Sequence, residues 1–442
     1  MSPANRLAPQ SAEEVAALLR DAAAQQLPIV ARGGGTHCAA QPAVHARAAT
    51  LELRGLSKVL AYDPGDLTIA VEAGCTLAEL EHVLAENEHE LALDAEDPER
   101  ATIGGLLAAD FPTRAGAVGR ALRDQVLGTR VAQVDGTLTR SGGRVVKNVT
   151  GYDLEKLFVG SRGTLAVLVE VALRVHPRPP ARAIVAAACA SFEEAHALVL
   201  RWRDPQPAQL DALDGEAARR ALGDLPAPLA DARWLVLASW RGTERVVAAH
   251  AERALSAASA LGGRAQRLEG ELAHRAHAFD RAPRRALGVA DARDAGEPGL
   301  VLALAGRPSQ APKVEQILAH ALERSGCTTS ARRYADGAGA RLRACFATAP
   351  SRERFAALLD ALASVPLTTA ARVHLESAPS ALHEELRAKH FLALRPPCGG
   401  LAAMRRVRAA FDPHGLLSPG AWPELDGAEP EREASSPSET RA

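Results

Sequence analysis

Three glycine-bearing stretches have the residue types to hold an anion with main chain rather than side chains. The first is Pro28-Ile29-Val30-Ala31-Arg32-Gly33-Gly34-Gly35-Thr36-His37. The second is Ala101-Thr102-Ile103-Gly104-Gly105. The third, Gly160-Ser161-Arg162-Gly163-Thr164-Leu165, runs into the apolar Ala166–His176. Glycine reaches positive φ without a Cβ penalty and lets a ligand approach the backbone. Successive N–H groups in such a turn can point into one concavity and hold a pyrophosphate. A lone Gly-Gly-Gly is equally an ordinary turn. The order and spacing of all three point to a large phosphate-bearing cofactor.

Regular elements must carry these loops. Pro28–Arg32 reads as a short strand, with Pro at its start where a missing ladder donor does least harm. Ser11-Ala12-Glu13-Glu14 and Thr76-Leu77-Ala78-Glu79 are capping boxes, opening helices to about Gln26 and Glu86. Leu67–Glu72 has strand composition, broken by Gly74. Asp135-Gly136 suits a tight hairpin turn between Val131–Val134 and Thr137–Thr139. Leu165–Val175 reads as a long strand. Pro177-Arg178-Pro179-Pro180 then disfavours both helix and sheet and marks a domain boundary.

Beyond it, strands are predicted at Ile184–Cys189, Trp234–Trp240, Leu300–Ala305, Leu342–Ala347 and Arg372–Glu376. Helices are predicted at Phe192–Trp202, Glu244–Leu261, Ala311–Ser325, Arg352–Ala363 and Ser380–His390. This alternation fits an α+β domain, an antiparallel sheet with helices on one face. The Ala/Arg-rich stretch 257–294 reads as a solvated helical face. The acidic residues 422–442 read as a disordered tail.

At 442 residues the chain needs two domains or more. A net charge of −1 and the lack of a basic stripe argue against a nucleic-acid binder. No transmembrane segment of roughly 20 apolar residues is present, and Met1–Leu7 lacks a signal-peptide core, so a cytoplasmic location is expected. The six cysteines, Cys38, Cys75, Cys189, Cys327, Cys345 and Cys398, show no iron–sulfur spacing. No metal-ligand cluster is visible, and none is expected.

Taken together, ARGGGTH, DPGDLTIAVEAGCTLAELEHVLA, ATIGGLLAA, LRDQVLG and GGRVVKNVTGYDLEKLFVGSRGTLAVLVEVALRVHP resemble the FAD-binding domain of the vanillyl-alcohol oxidase group. The resemblance spans Ala8 to about Pro177 and resumes at Leu401–Gly420, where FDPHGLLSPG resembles that group's C-terminal return. The GGRVVKN–GYDL run is most similar to the FAD-binding subunits of bacterial glycolate oxidases. The resemblance implies an FAD-binding domain over 1–178, a smaller α+β cap or substrate domain over 179–395, and a return to the FAD domain over 396–421.

The same resemblance assigns cofactor contacts. Arg32, Gly33, Gly34, Gly35, Thr36 and His37 would form the first pyrophosphate loop. Thr102, Ile103, Gly104 and Gly105 would form the second. Gly151, Tyr152 and Asp153 would lie toward the ribityl and flavin. Gly160, Ser161, Gly163 and Thr164 would shape the turn into the last strand, with Val167 at the adenine edge; Val167 and Ile103 are equally explained by core packing. Some relatives attach the flavin to a histidine directly after R-x-G-G. Here that position is Thr36 and His37 falls one residue late, so non-covalent FAD is expected. Two departures stand out. Ser418-Pro419-Gly420-Ala421 replaces a terminal motif like NPGR, and Asp110-Phe111-Pro112-Thr113-Arg114 replaces a Gly/Ser-rich segment.

Flavin oxidation of a small 2-hydroxy acid needs a cation for the carboxylate and a base for the hydroxyl proton. The second domain offers Arg332, Arg333, Tyr334, Arg343, Arg372, His374, His383 and His390. Arg372 and His374 fall on one face of a predicted strand and are the best candidate catalytic pair. The resemblance implies a larger flavoprotein dehydrogenase subunit and an iron–sulfur subunit as partners. The expected function is a subunit of a glycolate or D-lactate dehydrogenase. The alternatives are a non-catalytic FAD-holding subunit, or a stand-alone oxidoreductase of another alcohol or sugar acid.

Overall fold

Both faces of one strand organise the N-terminal half. Val167–Arg174 alternates between two cores: Leu168, Val171 and Leu173 pack with Leu80, Leu84 and Ile103, whereas Val167 and Val169 pack with Ile29, Leu51 and Leu417. A strand buried on both sides reads as a continuous apolar run. The computed structural model describes residues 6–36, 47–91, 93, 95–110, 122–145, 151–289, 299–328, 331–336, 341–363, 372–379, 382 and 400–421.

Strands β1 (Arg6–Leu7), β2 (Ile29–Arg32) and β3 (Ala49–Glu52) form a parallel sheet in the order β1-β3-β2. Strands β4 (Val59–Asp63), β5 (Thr68–Glu72), β7 (Val126–Ala132), β8 (Leu138–Gly142) and β9 (Val167–Arg174) form an antiparallel sheet in the order β4-β5-β9-β7-β8. The β7–β8 hairpin turns at Asp135-Gly136, with Gly136 at φ +80°. Thr76 closes a complete capping box with Glu79 at the start of helix Leu77–Ala85. Ser11 caps helix Ala12–Ala24. The C-terminal helix Leu401–Phe411 returns the chain beside β2, where Ile29 N–H donates to Leu416 (2.8 Å) and Ser418 N–H to Ile29 (2.7 Å).

A two-stranded link, β6 (His89–Glu90) with β10 (His176–Pro177), precedes the second half. There an eight-stranded antiparallel sheet runs in the order β14-β11-β13-β12-β16-β17-β15-β18. Its strands are β11 (Ala181–Cys189), β12 (Gln209–Asp214), β13 (Trp234–Gly242), β14 (Arg264–Leu268), β15 (Leu300–Ala305), β16 (Ala331–Asp336), β17 (Arg341–Phe346) and β18 (Arg372–Ser377). Helices Phe192–Trp202, Glu244–Ala260, Ala311–Arg324 and Arg352–Ala363 cover one face through Val185, Val236, Leu302, Leu342 and Phe346.

Two details of the expected cap change. Helices lie on both faces, because Ile184, Ala186, Leu235 and Leu237 make the alternate positions apolar too; helices Gly215–Leu222 and Gly270–Arg281 cover them. The cap also carries the largest sheet among the described residues, so it is not the smaller part. The stretch 257–294 is corrected as well. It contains an edge strand, and two of its arginines bind the other half: Arg281 Nη2 lies 2.9 Å from both Glu81 oxygens, and Arg284 Nε lies 3.0 Å from Glu96 Oε1. Arg241 forks onto Glu90 nearby. Acidic residues on one part gave those arginines a destination that local composition could not reveal. The expected helix Ser380–His390, including His383 and His390, lies outside the described residues apart from Leu382, as does the tail 422–442.

Candidate active site

The glycines let the expected phosphate loops interlock. A Cβ on Gly33 would fall 1.9 Å from Thr102 Oγ1, and one on Gly34 would fall 1.7 Å from the Arg100 carbonyl oxygen. Gly35 turns at φ +71° with the Arg32 guanidinium folded against it, 2.7–3.1 Å from where a Cβ would stand. Arg100 Nη2 donates to the Gly34 carbonyl at 2.5 Å. Thr102 caps helix Ile103–Ala109, its hydroxyl accepting from Gly105 N–H at 3.2 Å. Gly104 sits where a Cβ would come 2.7 Å from Ala73 Cβ.

The third loop closes on the same place. Gly160 and Arg162 donate their N–H groups to Leu107 (2.9 Å) and Ala108 (2.7 Å), at the end of that helix. Ser161 and Thr164 hold the turn, with Thr164 Oγ1 donating to the Ser161 carbonyl at 2.7 Å. A Cβ on Gly163, which has φ +71°, would stand 3.0 Å from Ser418 Oγ. Arg162 Nη1 donates to the Ala421 carbonyl at 3.0 Å. A guanidinium is thus bound to the backbone of Ala421, the residue that aligns with the arginine of the resembled terminal motif.

These groups fit the diphosphate of FAD. Two guanidiniums, Arg32 and Arg100, lie against the glycine loop, beside the hydroxyls of Thr36, Thr102, Ser161 and Thr164. Arginine suits phosphate by geometry as well as charge. Gly151 turns at φ +85°, Tyr152 is 91% exposed, and Asp153 pairs with Lys156 at 2.9 Å. These three stand at the surface rather than in the interlocked loops. Ile103 and Val167 are core residues, 0% and 1% exposed. His37 lies outside the described residues. Arg100 and Ser418 were missed by the sequence reading; Arg100 precedes the second loop by only two residues and could have been weighed as a cation.

The cap sheet brings a second set of charged residues into one row. Cross-strand partners share a face. Arg341 and Arg343 on β17 pair with Ala305 and Ala303 on β15, which pair in turn with Arg372 and His374 on β18. Two small residues thus lie between a pair of arginines and the Arg372/His374 positions. Strand spacing puts the flanking backbones about 10 Å apart. Arg343 is 4% exposed. Arg333 belongs to the other face: its Nε lies 3.1 Å from Asp214, it also pairs with Glu315, and it stacks 5.2 Å over the Trp234 ring.

Asp110 follows the second loop. It ends helix Ile103–Ala109 in the left-handed region, at φ 41°, and its Cβ lies 3.2 Å from where a Gly160 Cβ would be. Its surface is open to solvent, yet enough protein surrounds the carboxyl that desolvation raises its pKa; Arg123 and the cap's Arg341 pull it back down. Cys75, next to the second loop in space, is inert: burial and nearby carboxylates push its pKa up to about 12.

Interlocked glycine loops, a C-terminal return beside β2 and a separate eight-stranded sheet make a two-part chain. Residues 3–142 match the FAD binding domain family, and residues 178–421 match the FAD linked oxidases, C-terminal domain. The chain belongs to the FAD-linked oxidase family.

Among curated relatives, glycolate oxidase subunit GlcE of Escherichia coli (strain K12) is 38% identical over 157 residues, 35% of this chain and 44% of that one. Glycolate oxidase subunit GlcD of Bacillus subtilis (strain 168) is 29% identical over 173 residues, 39% and 37%. D-lactate dehydrogenase of Archaeoglobus fulgidus is 33% identical over 193 residues, 42% of each chain. The chain thus matches less than half the length of these relatives.

Solved structures share the fold across both halves. A p-cresol methylhydroxylase with substrate bound superposes with a TM-score of 0.72 at 14% identity, over 94% of this chain and 88% of that one. An alkyldihydroxyacetonephosphate synthase superposes at 0.70 and 17%, over 94% and 75%. Among the described residues, no helix is long and apolar enough to cross a membrane, and no group of three or more acidic, His or Cys residues could hold a metal.

Proposed function

We propose that this chain is an FAD-holding subunit of a multi-subunit dehydrogenase acting on small 2-hydroxy acids of the glycolate and D-lactate class. The observation that carries this reading is the row of cations along the alanine floor of β15. Arg341 and Arg343 flank Ala305 and Ala303 on one side, and the Arg372 and His374 positions flank them on the other. A short carboxylate suits paired guanidiniums, and an alanine floor leaves room for one. His374 is assigned as the group that takes the hydroxyl proton, and Arg372 as a carboxylate ligand. When bound, FAD accepts the hydride from the α-carbon. The flavin is proposed to be held without a covalent bond. The relatives named as glycolate oxidase subunits support an assembly with a larger flavoprotein subunit. The cysteine spacings offer no cluster site, so an iron–sulfur relay is assigned to another chain.

The test is dye reduction by glycolate and D-lactate, measured with the purified chain alone and with its co-purifying proteins. Turnover that appears only with the partners is expected. Full-rate turnover by the isolated chain would overturn the subunit reading. Failure of every 2-hydroxy acid to bleach the flavin, in the chain or the complex, would overturn the substrate class.

A further inference from the structure

We infer that Arg162 is a positioning residue for the cofactor: its guanidinium closes a ring of contacts that holds both pyrophosphate loops to the C-terminal return. It rests on the FAD-holding part of the proposed function and not on the substrate class.

The ring can be followed from contact to contact. Ser418 N–H donates to the Ile29 carbonyl at 2.7 Å, and Ile29 N–H donates to Leu416 at 2.8 Å. The return thereby pairs with the strand that feeds the Arg32–Gly35 loop. Asp412, 3% exposed, fixes the return by accepting from Leu416 N–H (3.0 Å) and Leu417 N–H (2.7 Å). Ala421 N–H donates to the Ser418 carbonyl at 3.1 Å. The Ala421 carbonyl then accepts from Arg162 Nη1 at 3.0 Å, across 259 residues of sequence. Arg162 N–H donates to the Ala108 carbonyl at 2.7 Å, near the end of helix Ile103–Ala109. At the start of that helix Thr102 abuts Gly33, and Arg100 donates to the Gly34 carbonyl. The ring has then come back to the first loop.

Two observations give this ring a bearing on the cofactor. First, Gly33, Gly34 and Gly35 have no side chains with which to pack, and glycine backbone is the freest to move. The width of a main-chain cradle is therefore set by what holds its ends. Second, backbone strain gathers at the turn that carries Arg162. Six non-glycine residues among those described have positive φ, and three of them meet here: Asp110 at 41°, Arg162 at 53° and Ser418 at 44°. A Cβ on Gly160 would stand 3.2 Å from Asp110 Cβ, and one on Gly163 would stand 3.0 Å from Ser418 Oγ. Strained backbone persists where its surroundings over-determine it, and it concentrates at ligand clamps. Glycine would meet the backbone demand at position 162 more easily. What arginine adds there is the bond to Ala421.

The experiment uses the full chain, stripped of flavin and titrated with FAD, with binding read from the quenching of flavin fluorescence. Arg162→Gly and Arg162→Asn both suit a left-handed backbone and both remove the guanidinium. Each is expected to bind FAD about tenfold more weakly, the scale of one charge-assisted hydrogen bond. The urea midpoint of flavin-free Arg162→Gly should stay at the wild-type value, because relief of strain offsets the lost bond. Amide hydrogen exchange at Ser418 and Ala421 should be faster in both variants.

Wild-type FAD affinity in both variants overturns the inference. So does weaker binding in Arg162→Gly alone, because backbone freedom and not the guanidinium would then be at work. A urea midpoint that falls in step with FAD affinity assigns Arg162 to general stability and overturns it as well. Weaker FAD binding with unchanged exchange at Ser418 and Ala421 overturns the positioning role, because Arg162 would then act on the cofactor without the return. In each of these cases wild type still binds FAD, so the FAD-holding reading stands. A wild-type chain that quenches no flavin fluorescence overturns both.

Discussion

Arg284 Nε lies 3.0 Å from Glu96 Oε1, and the same carboxylate accepts the backbone N–H groups of Arg284 (3.0 Å) and Arg285 (3.2 Å). One glutamate of the FAD half thus holds three donors of the cap. With side-chain exposures of 16% and 21%, the pair is better shielded than an ordinary surface bridge. Glu96→Gln removes the charge and weakens all three bonds. It should lower stability by about 1–3 kcal/mol, seen as a lower urea midpoint. An unchanged midpoint would show that the halves are held elsewhere. Arg281→Ala, in the more exposed bridge to Glu81, should cost no more than about 1 kcal/mol.

The interlocked loops separate two kinds of glycine. In Gly34→Ala the new Cβ would meet a backbone carbonyl at 1.7 Å, and backbone cannot swing aside as a side chain can. The purified variant should carry at least about tenfold less flavin, because the loops must part. Gly151→Ala meets no described atom within 4 Å and bears only the strain of φ +85°, about 1–2 kcal/mol. Visible spectra of the two variants make the comparison. Equal flavin content would contradict the placement of the cradle.

Acid precipitation of the holoprotein should release its yellow colour into the supernatant. The position directly after Arg32-Gly33-Gly34-Gly35 is Thr36, which has no nucleophilic nitrogen. Colour retained in the pellet would point to His37 as an attachment point.

His277 makes the protein sensitive to mild acid. Its ring accepts from Arg182 Nη1 at 2.5 Å, and desolvation, followed by that neighbouring cation, lowers its pKa to about 4. Unfolded, the same ring protonates near 6.5. The unfolded chain therefore binds more protons between these values. Stability should be full above about pH 6.5 and fall as pH drops toward about 4, by a total on the order of 2–3 kcal/mol. His277→Gln should flatten that part of the profile in urea melts at pH 7, 5.5 and 4.5. A parallel decline in both proteins would place the acid sensitivity elsewhere.

Local signals carried far along this chain. The Ser11 N-cap, the Thr76 capping box, the Asp135-Gly136 turn and the apolar run of β9 each act over a few residues, and each is formed, although Glu14 reaches back to the Gln10 N–H and so leaves the Ser11 box incomplete. Short strands escaped notice. Gln209–Asp214 and Arg264–Leu268 carry Gln, Asp or Arg that weaken strand composition, and they exist because β11 and β13 supply ladders for them. Helix Ile103–Ala109 hid inside a phosphate motif whose glycines argue against helix.

Arg332-Arg333-Tyr334 looked like one cationic cluster. Strand alternation sends Arg333 to the face covered by helices Phe192–Trp202 and Ala311–Arg324, where Asp214, Glu315 and Trp234 engage it. Only pairing decides which neighbours an alternating residue meets. Ala303 and Ala305 carry no chemistry in the sequence and matter because Arg343 and Arg341 lie across from them.

The sequence by itself determined the cofactor half. Glycines, caps and the order of the loops state their backbone demands locally, and a main-chain cradle is built from those demands. Tertiary structure alone decided the row of charged residues in the cap. Register brings Arg341, Ala305 and the Arg372 position into one row, and ion pairs such as Arg284–Glu96 join the two halves. Neither event leaves a mark at short range, because pairing partners and interdomain charges are chosen by distant parts of the chain.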